Sequence, residues 1–319
     1  MSVALVEPGH GPAVSLPPGG VAWADGLALA ASDGVALRAA LWNPGGARGL
    51  ALYLPGRTEF LEKASMTAAA LAKRGFAVAS IDWRGQGLSA RALDEPLKGH
   101  VESFEAYGRD LAALLAAPAV AGQGPVRLVL GHSMGTAIAL GAVARGQIAP
   151  AALVLSAPMA GIAFKPAQNL GVKLVARLAC ALGLGNRWPP TEAAAKPNIF
   201  EPFEGNCLTH DPDIYAWQGA AFRSLPALQL GLPTFGWIHA AYEAMALMAR
   251  LGPPGFPVQV LLGEKEGVVD NAASRRMAAK LGASLVEIEG ARHDILMEDA
   301  PRRARVWQAI DGFLAEAGV

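Results

Sequence analysis

Gly131-His132-Ser133-Met134-Gly135 decides the reading of this chain. The apolar run Val126–Leu130 leads straight into it, and the Ala/Gly-rich stretch Thr136–Ala144, which reads as a helix, follows. A G-x-S-x-G pentapeptide between a buried strand and a helix is a nucleophile elbow. Its glycines let the chain turn where a Cβ would collide, so that the serine hydroxyl stands exposed at the edge of a sheet. The first backbone N–H groups of the next helix then face the reacting centre and can hold an oxyanion. The competing reading is an ordinary Gly-rich strand-to-helix turn, and the chemistry expected elsewhere in the chain weighs against it.

Working outward, the flanking segments alternate. Gly26–Ala31 and Val35–Trp42 read as strands joined by the turn Ser32-Asp33-Gly34. Gly49–Leu54, Phe76–Asp82, Val126–Leu130, Ala152–Ser156, Val258–Leu262 and Ser284–Ile288 read as short buried strands. Ala64–Arg74, Glu102–Ala117, Asn271–Leu281 and Pro301–Ala317 read as helices between and after them. An opening hairpin followed by strands and helices in turn predicts an α/β fold, a mostly parallel sheet with helices on both faces.

The alternation fails between residues 159 and 255. Trp188, Trp217, Trp237, Phe200, Phe203, Phe222 and Phe235 lie here among many prolines. Leu174, Leu178 and Leu182, with Val175, mark one apolar helix face, and Tyr242–Leu251 suggests a further helix. The predicted organisation is a flexible tail over 1–20, a core over 21–158 and 256–319, and a helical lid inserted at 159–255. Such a lid would cover the carboxyl edge of the sheet, where sites in open α/β sheets lie. Trp217 and Trp237 are the candidate substrate-binding aromatics, although core packing is the commoner fate of any one of them.

A serine hydroxyl needs a general base, and behind an elbow of this type the chain order is serine, acid, histidine. Of the downstream histidines, His210 and His239 fall in the lid, whereas His293 sits in the loop after the last strand, which returns over the elbow. His132 is a neighbour of Ser133 whose side chain diverges from it. The acid belongs on the loop after Val258–Leu262, where Glu266 is preferred and Asp270, at the start of a helix and suited to capping it, is the alternative. Asp294 is too close in sequence to orient its own neighbour's ring. The oxyanion donors expected are the backbone N–H groups of Met134 and Arg57. The Arg57 guanidinium reads either as part of the site or as a solvated surface charge.

Asp82-Trp83-Arg84-Gly85-Gln86-Gly87-Leu88-Ser89 is a D-x-R-G-x-G-x-S segment, continued by Arg91, Gly99-His100-Val101, Phe104, Tyr107 and Asp110-Leu111. With the elbow and Ser156-Ala157-Pro158-Met159, the chain resembles the bacterial lysophospholipase and monoacylglycerol lipase group of α/β-hydrolases. That group is catalogued with serine aminopeptidase-like hydrolases. The resemblance covers about residues 25–315. It implies an α/β-hydrolase fold and a cofactor-free, metal-free serine hydrolase, with Ser133 and His293 as nucleophile and base and the Arg57 and Met134 amides as oxyanion donors. Two departures stand out: Pro55-Gly56 where many members have His-Gly, and Glu266 where aspartate is usual.

Composition narrows the partners. Twenty-seven Lys and Arg balance 27 Asp and Glu over 319 residues, so no field for nucleic acid is expected. Cys180 and Cys207 form neither metal spacing nor a disulfide framework. The N-terminal residues have no secretory pattern and no stretch has the length of a membrane span, so a cytoplasmic enzyme is expected. Its substrate would be a small acyl ester or lipid, and transient contact with a membrane surface stays open. Alternatives are an aminopeptidase, with Glu201, Glu204, Asp211 or Asp213 binding the substrate ammonium, an acyltransferase, or a non-catalytic binding protein. Dehalogenase and epoxide hydrolase chemistry is disfavoured because it uses aspartate at the elbow.

Overall fold

The computed structural model describes residues 11–191, 196–197 and 202–319. Phe200 and Glu201, and residues 1–10 of the expected tail, lie outside them. The strands are β1 (Asp25–Ala30), β2 (Ala36–Ala47), β3 (Leu50–Leu54), β4 (Phe76–Asp82), β5 (Val126–His132), β6 (Ala152–Ser156), β7 (Val258–Gly263) and β8 (Ser284–Ile288). They form an eight-stranded sheet in the order β1-β2-β4-β3-β5-β6-β7-β8. β2 pairs antiparallel with both β1 and β4, and every later pairing is parallel. Parallel strands covered on both faces should be apolar throughout rather than alternating. β3, β4, β6 and β7 are buried at every position.

The opening hairpin turns at Gly34, whose φ of +79° favours a residue without a Cβ. β2 then runs beyond Trp42, where the sequence reading ended it. A register shift lets Ala47 pair with Phe76, with Asn43 and Gly45 at positive φ between them.

Helices α1 (Leu61–Lys73) and α9 (Ala300–Glu316) pack on one face of the sheet. On the other lie α2 (Glu105–Ala116), the single turn α3 (Pro118–Ala121), α4 (Met134–Ala144) and α8 (Asn271–Leu281). Between β6 and β7 the chain leaves the sheet and forms α5 (Pro166–Ala181), α6 (Pro212–Ser224) and α7 (Phe235–Met248). Thr234 caps α7 by accepting from the Trp237 N–H, so this helix begins seven residues before the sequence pattern placed it. α7 packs on both α4 and α5.

The apolar face marked by Leu174, Val175, Leu178 and Leu182 is turned outward: all four are more than half exposed, and Ala176 and Ala179 make the buried face of α5. One expectation needs correction. Residues 11–20 are fastened rather than loose. The Ala13 N–H donates to Glu62 at 2.7 Å, the Ser15 carbonyl accepts from Trp217 Nε1 at 2.8 Å, and Pro17 is buried.

Candidate active site

The elbow joins β5, near the middle of the sheet, to α4. Ser133 sits at φ 51° and ψ −117°, a conformation rare for a residue with a side chain and one that stores strain at a turn. Close packing forces its neighbours to be small. A Cβ on Gly135 would lie 1.9 Å from the Leu54 carbonyl oxygen, and one on Gly131 would lie 3.1 Å from the Thr136 Cα. The serine carbonyl and amide are held by Met159 N–H and the Ser156 carbonyl, so the turn is tied to β6 as well.

His293 arrives on the loop after β8 and reaches Ser133: Nε2 lies 3.1 Å from Oγ. Its Nδ1 lies 2.8 Å from Glu266 Oε2. The other carboxylate oxygen of Glu266 accepts from the Val268 and Val269 N–H groups at 2.7 and 3.2 Å. Burial raises the Glu266 pKa, but the hydrogen bond and charge of His293 and the two amides outweigh it, and the net shift is downward. The loops carrying the pair are laced together, with Glu264 N–H donating to the Ile288 carbonyl and Lys265 N–H to that of Ala291. Gly263 permits this closeness, since a Cβ there would come within 2.5 Å of the Arg292 carbonyl oxygen.

Asp270, the alternative acid, is not brought to His293. Its Oδ1 accepts from the Ala272 and Ala273 N–H groups at 2.8 and 3.1 Å and caps α8. His210 pairs with the buried Glu298 at 2.9 Å.

The loop Pro55–Thr58 lies against the elbow: a Cβ on Gly56 would be 3.2 Å from Ser133 Cβ. Met134 opens α4, so its N–H has no partner within the helix. The Arg57 guanidinium is not a solvated charge. Nη2 donates to the Gly231 carbonyl at 2.7 Å, the group lies 5.4 Å from the Trp237 ring centroid, and burial lowers its pKa to about 10. The segment Asp82–Ser89 serves as scaffold. Gln86 Nε2 donates to the Gly56 carbonyl at 2.8 Å, Trp83 Nε1 to that of Pro55 at 2.9 Å, and Arg84 forms ion pairs with Asp33 and Asp110.

Sequence reasoning missed a buried charge network behind the serine. Lys63 Nζ lies 2.7 Å from both Glu59 Oε1 and Asp294 Oδ2. Glu59 Oε2 accepts from the Gly56 N–H at 2.6 Å, so this carboxylate holds the loop beside Ser133. Asp294 Oδ1 lies 3.3 Å from His132 Nε2, and the His132 and His293 ring centroids are 5.1 Å apart. Desolvation opposes the charge on Lys63, but the two carboxylates overcome it and push its pKa up. The same cation draws Asp294 and Glu59 down against their own burial. The four-residue spacing of Glu59 and Lys63 was the one signal in the sequence, and such pairs usually sit on a surface.

A cavity of about 490 Å³ opens over Ser133. Its floor carries Glu59, Lys63, His132 and Asp294, and its walls include Met159, Ile162, Leu208, Trp237 and Val268. Trp237 therefore reaches the cavity. Trp217 does not: it stacks near Phe60, ring centroids 5.9 Å apart, and anchors Ser15. Of the lid carboxylates, Glu204 lines the cavity, Asp211 caps α6 and Asp213 is exposed. Among the described residues His132, His293 and Asp294 bring potential metal-ligating atoms within 4.8 Å, but Asp294 is already compensated by Lys63.

Comparison with known proteins agrees with this architecture. The protein is 31% identical over 269 residues to a probable lysophospholipase L2 of Haemophilus influenzae, covering 84% of each chain. It is 32% identical over 277 residues to lysophospholipase L2 of Escherichia coli K12, covering 81% of this chain and 78% of that one. Among solved structures, a carboxyl esterase from Bacillus coagulans superposes with a TM-score of 0.72 at 19% identity, covering 92% of this chain and 98% of that one. A monoglyceride lipase from Saccharomyces cerevisiae does so with 0.67 at 18%, covering 96% and 98%. These two share the α/β-hydrolase fold seen here. The model of the family described as serine aminopeptidase, S33, matches residues 45–300, and the chain belongs to that family of α/β-hydrolases.

Proposed function

We propose that this protein is a serine hydrolase that cleaves the carboxylic ester of monoacyl lipids, lysophospholipids or monoacylglycerols, through an acyl-enzyme. The observation that carries the reading is the chain of contacts Ser133–His293–Glu266, at 3.1 and 2.8 Å, beneath a largely apolar-walled cavity. The likeness to lysophospholipases L2 supports the substrate class.

In this reading Ser133 Oγ attacks the ester carbonyl carbon while His293 Nε2 takes its proton, and Glu266 holds the imidazole tautomer and stabilises the imidazolium. The negative charge developing on the carbonyl oxygen is met by the Arg57 and Met134 amides. Collapse of the tetrahedral intermediate expels the alcohol, which receives the proton from His293. Water then repeats the sequence on the acyl-enzyme and frees the fatty acid. We assign residues 21–158 and 256–319 to the catalytic core and 159–255 to the lid.

No helix among the described residues is long and apolar enough to cross a membrane. The two cysteines are unpaired, in keeping with a reducing compartment, and the cytoplasm is the location we infer, with transient contact at a membrane surface. A fluorophosphonate should label Ser133 and spare Ser133→Ala, and turnover should favour monoacyl esters over aminoacyl amides. Faster amide turnover would move the assignment to a peptidase in which Glu204, at the cavity, binds the substrate ammonium. Absence of labelling would remove the catalytic reading.

A further inference from the structure

Arg57 carries a charge that the protein leaves without an acid. Its guanidinium lies 5.4 Å from the Trp237 ring centroid, and Nη2 donates to the Gly231 carbonyl at 2.7 Å. Nε is buried with no hydrogen-bond partner. Among the described residues no carboxylate pairs with the group, and Tyr107 is the one ionisable neighbour that counters its desolvation. The other basic groups at the cavity are matched: Lys63 by Glu59 and Asp294, His132 by Asp294, and His293 by Glu266. Arginine is rarely taken out of water unless it is paired, because a lone buried charge is costly. At a substrate cavity, the simplest account is a counter-ion that arrives with the ligand.

The seat of this cation is built from segments the triad does not use. Gly231 N–H donates to the Leu97 carbonyl at 2.7 Å, and Thr234 N–H to that of Gly99 at 3.2 Å. The lid segment that presents the Gly231 carbonyl is thereby fixed to the loop before α2. A Cβ on Gly99 would come within 2.7 Å of Arg57 Nη2, so a glycine keeps the slot open. Trp237 Nε1 donates to the Tyr107 hydroxyl at 3.1 Å, which holds the ring beside the guanidinium. Arg57 and Trp237 both line the cavity over Ser133.

Reach selects the anion. The Arg57 amide is the proposed oxyanion donor, so the ester carbonyl sits at one end of this residue and the guanidinium is at the other. As many covalent bonds join the Arg57 backbone nitrogen to Cζ as join the ester carbonyl carbon of a 1-acyl lysophospholipid to its phosphorus. A phosphodiester at that reach brings unesterified oxygens to the guanidinium N–H groups, whereas a monoacylglycerol brings only a hydroxyl. The total charge of the chain is zero, so a preference for an anion has to arise locally.

We propose that the Arg57 guanidinium receives the headgroup phosphate of a lysophospholipid and so makes the enzyme select phosphate-bearing monoacyl lipids over monoacylglycerols. The assignment rests on the lipid-ester reading, but the recognition is measurable without turnover. Titration calorimetry with 1-O-alkyl glycerophosphocholine and 1-O-alkylglycerol of equal chain length, both below their micellar concentrations, tests it, since the ethers cannot be cleaved. The native chain should bind the phosphate-bearing ether at least about tenfold more tightly. Arg57→Met keeps the backbone amide and should bring the two affinities within about threefold of each other. Arg57→Lys restores a charge without the planar fork and should recover part of the preference. Gly99→Ala leaves the charge in place but crowds Nη2, and should narrow the preference as well. With the corresponding esters, the ratio of kcat/KM for lysophospholipid to that for monoacylglycerol should fall at least about tenfold in Arg57→Met. A disturbance of the oxyanion loop lowers both values alike and cancels in this ratio.

Equal affinity of the native chain for the two ethers, or a preference that survives Arg57→Met, would overturn the proposal. So would inorganic phosphate binding as tightly as the alkyl phospholipid, which would make this a seat for a free anion. Cleavage of both lipids with equal kcat/KM removes only the role of Arg57. A preference for the phosphate-bearing ether without cleavage of either lipid removes only the lipid-ester assignment.

Discussion

Glu266→Gln isolates the acid with little change of shape. The glutamate accepts three hydrogen bonds: one oxygen faces His293 Nδ1 and the other takes the Val268 and Val269 N–H groups. Glutamine has one acceptor oxygen and one NH₂ group to divide between these positions. The two backbone donors are fixed, so the amide oxygen goes to them and the NH₂ group faces Nδ1. Nδ1 must then accept, the ring proton moves to Nε2, and Nε2 can no longer take the proton of Ser133 Oγ. Loss of both the tautomer and the imidazolium counter-charge corresponds to roughly 10⁴ in kcat, or about 5.4 kcal/mol of barrier. Asp270→Asn changes a helix cap between two residues that cap about equally well, so it should keep nearly full turnover and lose at most ~1 kcal/mol of stability. Steady-state hydrolysis of a short-chain ester, with thermal melts to confirm folding, reads both. A loss below about tenfold for Glu266→Gln, equivalent to ~1.4 kcal/mol, would refute the tautomer argument.

Three further outcomes follow from the geometry. Lys63→Met strands the buried carboxylates of Glu59 and Asp294, so urea unfolding should show a loss of about 3–5 kcal/mol; a loss under ~1 kcal/mol would mean the network carries little of the fold. Trp237→Ala should penalise long-chain over acetyl esters by roughly 1–3 kcal/mol in kcat/KM, whereas Trp217→Ala should lower the thermal midpoint without changing that ratio; the reverse pattern would relocate the acyl site. Desolvation disfavours the charged form of His132, but Glu59 and Asp294 prevail and its pKa lies above the ordinary 6.5. Its imidazolium therefore adds stability below that value, and the contribution disappears as pH rises through the raised one. The midpoint difference between the native chain and His132→Gln should accordingly be larger at about pH 5.5 than at about pH 9, and a difference that does not vary with pH would contradict it.

The sheet was legible because buried parallel strands leave a direct trace. Runs such as Leu50–Leu54 and Ala152–Ser156 carry no polar alternation, and β3 and β6 are buried throughout. Gly131 and Gly135 were legible for a related reason, since close backbone approach leaves no room for a Cβ and the sequence records it as glycine. What covers an apolar helix face leaves no such trace. The period of Leu174, Leu178 and Leu182 gives the stripe its direction on α5 and says nothing about whether protein or solvent lies beyond it. Trp217 escaped for the same reason, because an aromatic among prolines packs equally well on Phe60 or in a cavity wall.

Asp294 shows most clearly how adjacency misleads. Proximity to His293 excluded it as the partner of that ring, and the geometry agrees, since Glu266 meets Nδ1. The same divergence of neighbouring side chains sends the Asp294 carboxylate to Lys63 and His132. One loop therefore places an imidazole at the hydroxyl of Ser133 and an anion behind it. Through Lys63 that anion connects to Glu59, and through Glu59 to the Gly56 amide in the loop facing the same serine. Glu59 lies just before α1, Lys63 in its first turn, and Asp294 in a loop 231 residues beyond Lys63, so only the folded sheet brings them together. A charge network assembled over that separation has no local pattern to detect, yet it fixes the position of the loop on which the proposed oxyanion donor Arg57 sits.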